Sequence, residues 1–280
     1  MREVNVAEVA KAVEKLSIEA NCCLPEDVLI GLQRAEAEEK SPLGKEILKQ
    51  IIANAEIAQK EQMPICQDTG MSIVFLEIGQ EIHFTGGYLY DAINEGIRKG
   101  YSKGFLRKSI VNHPFLRKNT NDNTPAIIHS EIVPGDKLKI VLMPKGAGSE
   151  NMSRLAMLKP AEGKKGLVDF VRKAVEEAGA NPCPPLIIGI GIGGNMEKTT
   201  LLAKKALLRP LNQPNRDGEI KALEKEILQT VNASGIGPQG FGGIITALAV
   251  HIEYYPTHIA SLPVAVNLSC HATRHAECLL

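Results

Sequence analysis

The chain has no net charge: 32 Lys and Arg balance 32 Asp and Glu across 280 residues. Proteins that bind nucleic acid electrostatically normally carry a basic excess, so that class is not expected here. A local positive pocket for a small dianion is still compatible with the balance. No apolar run approaches the roughly 20 residues of a membrane span. The opening residues, Met1-Arg-Glu-Val-Asn-Val6, lack the continuous apolar stretch of a signal peptide, which predicts a cytoplasmic protein. There is no Cys-x-x-Cys pair, so zinc-ribbon and ferredoxin spacings are absent. There is also no internal repeat, low-complexity tract or obvious linker.

What is present reads as an ordinary globular chain. Hydrophobic residues make up 44% and charged residues 23%, enough apolar material for a real core. The first sixty or so residues show helical spacing over 6–16 and 27–40. A third helix starts at Ser41-Pro42, with the hydroxyl as cap and proline in the first turn. An apolar strand follows at 71–78, then a helix from Tyr88 that is broken by Gly100 to Gly104. Residues 126–133 and 137–143 predict a hairpin around Pro134-Gly135-Asp136. Helices are expected at 167–178, 196–208 and 216–232, and buried strands at 186–192, 244–254 and 264–268. The expected class is α+β: one domain over 1–280, with a helical layer at 1–62 and a mixed α/β part at 63–280. The alternation is too irregular for a doubly wound sheet.

Six cysteines in such a chain suggest metal or catalytic roles more than a disulfide framework. Cys66 stands in Met63-Pro-Ile-Cys-Gln-Asp-Thr-Gly70, a loop ahead of a strand, where chemistry is often placed. A thiolate there could hold a soft metal, and the neighbouring Asp68 could move a proton. The plainer reading is a buried structural thiol. Cys183 and Cys270 also lie in Pro- or His-rich loops beside apolar strands, whereas Cys22, Cys23 and Cys278 read as structural or incidental.

Gly189-Ile-Gly-Ile-Gly-Gly194 matches the dinucleotide fingerprint literally, between a strand and a helix. It lacks the acidic residue that should close a second strand about 20 residues later. A glycine loop at a helix start could instead take a carboxylate or phosphate. Lys145-Gly-Ala-Gly148-Ser-Glu-Asn151 is either a plain turn or a set of freed N–H groups suited to an oxyanion. Arg107 could clamp a carboxylate, or simply be solvated. His258, Cys270, His271, Arg274 and His275 crowd the region around one strand end. Each histidine alone could be a satisfied core residue, but together they favour a site.

Cys66-Gln-Asp-Thr-Gly70, the Lys145–Asn151 loop, Asn181-Pro-Cys183-Pro-Pro185 and Gly191-Ile-Gly-Gly-Asn-Met-Glu-Lys198 resemble the class I fumarate hydratases, which include L-tartrate dehydratase. The match runs in order along nearly the whole chain. Because the chain stops soon after Cys270, it is similar to the alpha subunit of the two-subunit form. The resemblance implies that Cys66, Cys183 and Cys270 hold a [4Fe–4S] cluster whose fourth iron is open as a Lewis acid. It implies substrate contacts from Gln67, Asp68, Arg107, Gly148 and His258, with Asp68 and His258 catalytic. Lys198 and Arg274 are local supports without an assigned role. The implied partners are a beta subunit carrying the opposing base, in a hetero-oligomer such as α2β2, and a small dicarboxylate. Fumarate/malate is the first reading and L-tartrate the near alternative. Two other classes stay open: a nucleotide-dependent oxidoreductase using Gly189–Gly194, and a non-catalytic assembly protein.

Overall fold

The computed structural model describes residues 1–280. In chain order the elements are β1 (Arg2–Asn5), α1 (Val6–Cys22), α2 (Glu26–Glu38), α3 (Pro42–Glu61), β2 (Met71–Gly79), β3 (Ile82–Thr85), α4 (Leu89–Lys103), β4 (Ile127–Val133) and β5 (Leu138–Lys145). They continue as α5 (Ala147–Glu150), β6 (Arg154–Leu158), α6 (Gly163–Ala178), β7 (Leu186–Gly193), α7 (Met196–Ala206), α8 (Gly218–Asn232), β8 (Ala247–Tyr255), β9 (Leu262–Ser269) and β10 (Ala276–Leu279). The expected α+β class holds. The chain forms two compact units, one of Met1–Pro25, Ala55–Ala147 and Arg274–Leu280, the other of Glu26–Asn54 and Gly148–Thr273.

In the first unit a four-stranded sheet runs in the order β10-β5-β2-β4. The expected hairpin between the fourth and fifth strands does not form. β2 lies between them, parallel to β4 and antiparallel to β5. The physical reason is burial. Ser72 to Leu76 of β2 are buried at consecutive positions, so both faces of that strand need cover and it takes a central place. β4 is largely exposed and takes the edge. On one face, Val74 and Leu76 pack with Val9, Val13, Leu16, Ile93, Ile97 and Tyr101 of helices α1 and α4. Gly100 does not break α4 as expected; the helix continues to Lys103. A Cβ on Gly96 would come 2.6 Å from the Ala10 carbonyl, and one on Gly100 2.6 Å from Ser17 Cβ. The glycines let the two helices lie close. β1, which pairs with β3, precedes the expected helical layer.

In the second unit the sheet order is β6-β9-β7-β8. β8 is parallel to β7, and β9 is antiparallel to it. Ile188 and Ile190 of β7 face a core with Val171, Val175, Leu223 and Ile227 from α6 and α8. The alternate residues, Gly189 and Gly191, face α7. A Cβ at Gly191 would stand 1.9 Å from the Thr199 carbonyl, and one at Gly189 2.2 Å from that of Ala203. The glycine run is thus explained by helix-on-strand packing. Asn195 caps α7, its side chain accepting from the Lys198 N–H.

Candidate active site

In the first unit, residues 62–70 connect α3 to β2 and hold Cys66, Gln67 and Asp68. Buried groups fix the loop from behind. The Tyr101 hydroxyl donates to the Thr69 carbonyl at 2.7 Å, and Asn123 Nδ2 donates to the Gly70 carbonyl at 3.1 Å. Gly70 has φ +72°, and a Cβ there would lie 2.6 Å from the backbone of Lys145, so only glycine fits. Arg274, also buried, donates from Nη2 to the Asp68 carbonyl at 2.7 Å. The Asp68 carboxylate is held at both oxygens. Oδ1 accepts the Gly70 N–H at 2.9 Å and Oδ2 the Ala147 N–H at 2.8 Å.

The Cys66 thiol is half-buried, and the Gln67 side chain is exposed. Thr69 Oγ1 donates to the Arg107 carbonyl at 2.7 Å, which places the Arg107 backbone beside this loop while its guanidinium is exposed. The structure therefore gathers Cys66, Gln67, Asp68 and Arg107 on neighbouring backbone. Tyr101 and Asn123 were not legible as supports. Tyr101 falls in the Gly100 to Gly104 stretch expected to break the helix, and Asn123 lies in a loop with no periodicity.

In the second unit, Cys183 and Cys270 meet. β7 begins just after Cys183 and β9 ends just before Cys270, and Ile187 pairs with Ser269. Both cysteines therefore leave the same end of the sheet. The His271 N–H donates to the Cys183 carbonyl at 3.3 Å, and the Cys270 carbonyl accepts from Thr273 N and Oγ1 at 3.0 and 2.8 Å. The Cys183 thiol is exposed and that of Cys270 half-buried; neither is in a disulfide. Gly148 shares this end, its Cβ position 3.8 Å from the Asn181 carbonyl. Glu150, two residues on, pairs with Lys204 and accepts from Asn267 Nδ2 at 3.0 Å. Burial pulls the Lys204 ammonium below its usual pKa, against the opposing pull of Glu150.

His258 is not brought to that end. It lies on the loop from β8 to β9, past the pair Gly193–Tyr255, whereas the cysteines sit beyond Ile187–Ser269. The six residue steps of β7 from Ile187 to Gly193 put these ends roughly 20 Å apart. The His258 ring is exposed, and its Nδ1 accepts the Ala260 N–H at 3.1 Å. Lys198 belongs to the same far end, its Nζ 4.8 Å from the Tyr255 ring centre. No three or more His, Cys, Asp or Glu side chains form a group that could hold a metal ion.

The three cysteines of the resemblance lie in loops, whereas Cys22 and Cys278 belong to α1 and β10. Burial pushes the Cys22, Cys23 and Cys278 thiols above their usual pKa, which disfavours the thiolate a metal needs. Cys66, Cys183 and Cys270 are loop thiols outside any disulfide, a donor set chemically suited to iron and sulfide.

A family model described as fumarate hydratase (Fumerase) matches residues 10–279. A Methanocaldococcus jannaschii protein provisionally named L(+)-tartrate dehydratase subunit alpha is 45% identical over 275 residues, 96% of each chain. The L(+)-tartrate dehydratase subunit alpha of Escherichia coli O157:H7 is 30% identical over 260 residues, 92% of this chain and 86% of that one. Its counterpart in strain UTI89 is 31% identical over 254 residues, 90% and 84% of the two chains. No helix is long and apolar enough to cross a membrane.

Proposed function

The chain belongs to the fumarate hydratase family and is a hydro-lyase, and on that premise we propose that it is the alpha subunit of an iron–sulfur enzyme. The reaction is the reversible hydration of a small unsaturated dicarboxylate, with fumarate and malate as the first pair. L-tartrate dehydration is the second reading, favoured by the names of the similar proteins. The observation that carries the proposal is the His271–Cys183 hydrogen bond, which holds two of the three cysteine loops together. Cys66, Cys183 and Cys270 would hold a [4Fe–4S] cluster. When bound, it supplies a Lewis-acidic iron that makes hydroxide a better leaving group.

The chain's own residues have three tasks. Dehydration removes a proton from the carbon beside one carboxylate and a hydroxide from the neighbouring carbon. Negative charge develops on that carboxylate, and Arg107 and the N–H of Gly148 are the groups proposed to hold it. Asp68 is proposed to move a proton at the leaving or attacking oxygen, its direction set by the N–H groups of Gly70 and Ala147. Gln67, beside it, is proposed to orient the substrate. The opposing base would come from a beta subunit in a hetero-oligomer such as α2β2. The place of His258, at the other end of its sheet from Cys183 and Cys270, lends no support to the catalytic role expected for it. The deciding experiment assays the anaerobically reconstituted complex on malate, fumarate and L-tartrate. Turnover of the first pair supports the first reading and turnover of tartrate alone supports the second. Turnover of none of them would overturn the proposal.

A further inference from the structure

Cys183 is held in an unfavourable place. Its φ is +56°, in the left-handed region that residues other than glycine rarely adopt. Its own N–H closes a turn to the Ala180 carbonyl at 3.0 Å. The next carbonyl along, that of Pro184, accepts twice from one residue. Gln239 donates its backbone N–H at 2.9 Å and its side-chain Nε2 at 2.7 Å. Gln239 is itself at φ +51°, inside the glycine-rich run Gly235-Ile-Gly-Pro-Gln-Gly-Phe-Gly-Gly243.

That run fits tightly against the cysteine turn. A Cβ on Gly240 would stand 2.4 Å from the Cβ of Ala180. A Cβ on Gly237 would stand 2.2 Å from the backbone of Gly242. The run is anchored at its far side by Glu39, which is 1% exposed. The Glu39 carboxylate accepts the N–H groups of Ile244 and Ile245 at 3.0 Å, along with those of Lys40 and Ser41. Burial pushes its carboxyl up, but these donors outweigh that and hold it below the usual range.

We propose that Gln239 is a positioning residue: it latches the Cys183 turn, with Glu39 as the anchor, and so fixes where the Cys183 thiolate is presented. The proposal rests on Cys183 being a cluster ligand. The latch acts through two donors on one carbonyl, so its side-chain part can be removed while the backbone part stays. Gln239→Glu keeps the shape and removes the donor, placing acceptor against acceptor. Gln239→Lys keeps a donor of similar reach.

The test has two arms on the full-length chain. In the first, the cluster-free chain is treated with iodoacetamide, and alkylation of each cysteine is followed by mass spectrometry. The expected result is that Gln239→Ala and Gln239→Glu alkylate Cys183 about three- to tenfold faster, with Cys66 and Cys270 unchanged. Gln239→Lys should return toward wild type. In the second arm, chains reconstituted with ferrous iron and sulfide are challenged with a chelator, and the two donor-less variants should lose iron faster. Wild-type rates at Cys183 in both donor-less variants would overturn the latch. So would a uniform rise at all three cysteines with a lowered melting temperature, which marks general loosening. A wild-type chain that takes up no iron would instead remove the cluster reading, while the alkylation arm still decides the latch.

Discussion

The backbone N–H of His271 reaches the carbonyl of Cys183 at 3.3 Å, tying two loops that are far apart in the chain. The tie follows from topology. β9 runs antiparallel to β7, so the residue after one strand arrives beside the residue before the other. Main chain does the joining, so the two thiols can be changed without disturbing the link.

That independence makes the cluster test clean. Wild-type protein, purified without air and reconstituted with its partner present, should hold about four irons and four sulfides per chain. Cys183→Ser and Cys270→Ser should each lose them, while the melting temperature of the cluster-free chain stays near wild type. Cys66→Ser should behave likewise. Serine variants that keep a full complement of iron would remove those cysteines from the ligand set.

Asp68 allows a comparably sharp experiment, because its carboxylate is oriented by two N–H groups from Gly70 and Ala147. Asp68→Asn keeps one acceptor oxygen and the size of the side chain. In the assembled complex it should retain iron and lose turnover by about 10²–10⁴-fold, the usual share of a proton-transfer group. Full activity in that variant would show that Asp68 moves no proton.

Much of this was legible in the sequence, and the failures have physical causes. Periodicity located most helices and strands, because α6 and α8 each present one apolar stripe and β7 is a buried run. Strand order was not legible. Pro134-Gly135-Asp136 does turn the chain, but the burial of β2 on both faces wins the space between the turn's two strands. Gly100 looked like a helix breaker because sequence shows no neighbours, whereas its cause is the nearness of Ser17. The cysteines were singled out through loop context and resemblance. The separation of His258 from Cys270 was hidden, because twelve residues of chain can either turn back or, as here, run the length of a strand.

His258 supplies the next prediction. It lies a strand's length from the cysteine end, so His258→Ala should leave iron and sulfide content unchanged, together with the rate of iron loss in air. Metal analysis before and after aerobic storage reads this directly. A cluster that becomes labile in this variant would contradict the sheet geometry.

The glycine run of β7 can be tested as packing. A methyl at Gly191 would meet the Thr199 carbonyl and the Ala203 nitrogen, at 1.9 and 2.7 Å. Gly191→Ala should therefore destabilise the chain by about 1–3 kcal/mol, or prevent folding. Gly218, in the first turn of α8, has open space where its Cβ would be, so Gly218→Ala should be neutral or slightly stabilising. Denaturant midpoints compare the two. Equal, negligible effects would reopen a ligand-binding reason for the glycines.

His251 links stability to pH. Its ring is buried, with Nδ1 donating to the Ala206 carbonyl at 3.2 Å. Burial, reinforced by the nearby Arg209 charge, lowers its pKa to about 4, against weaker pulls from Ala206 and Asp27. The folded chain thus keeps the ring neutral where the unfolded chain, titrating near 6.5, already binds a proton. The contribution is fully present above about pH 6.5 and is lost as the pH falls towards 4, reaching about 3 kcal/mol at the end of that range. Urea unfolding of the chain at pH 7 and pH 5 reads the first part of the loss. In His251→Gln, the stability difference between the two pH values should shrink by about 2 kcal/mol, whatever the substitution does to stability at pH 7. An unchanged difference would mean that His251 protonates in the folded chain as readily as in the unfolded one.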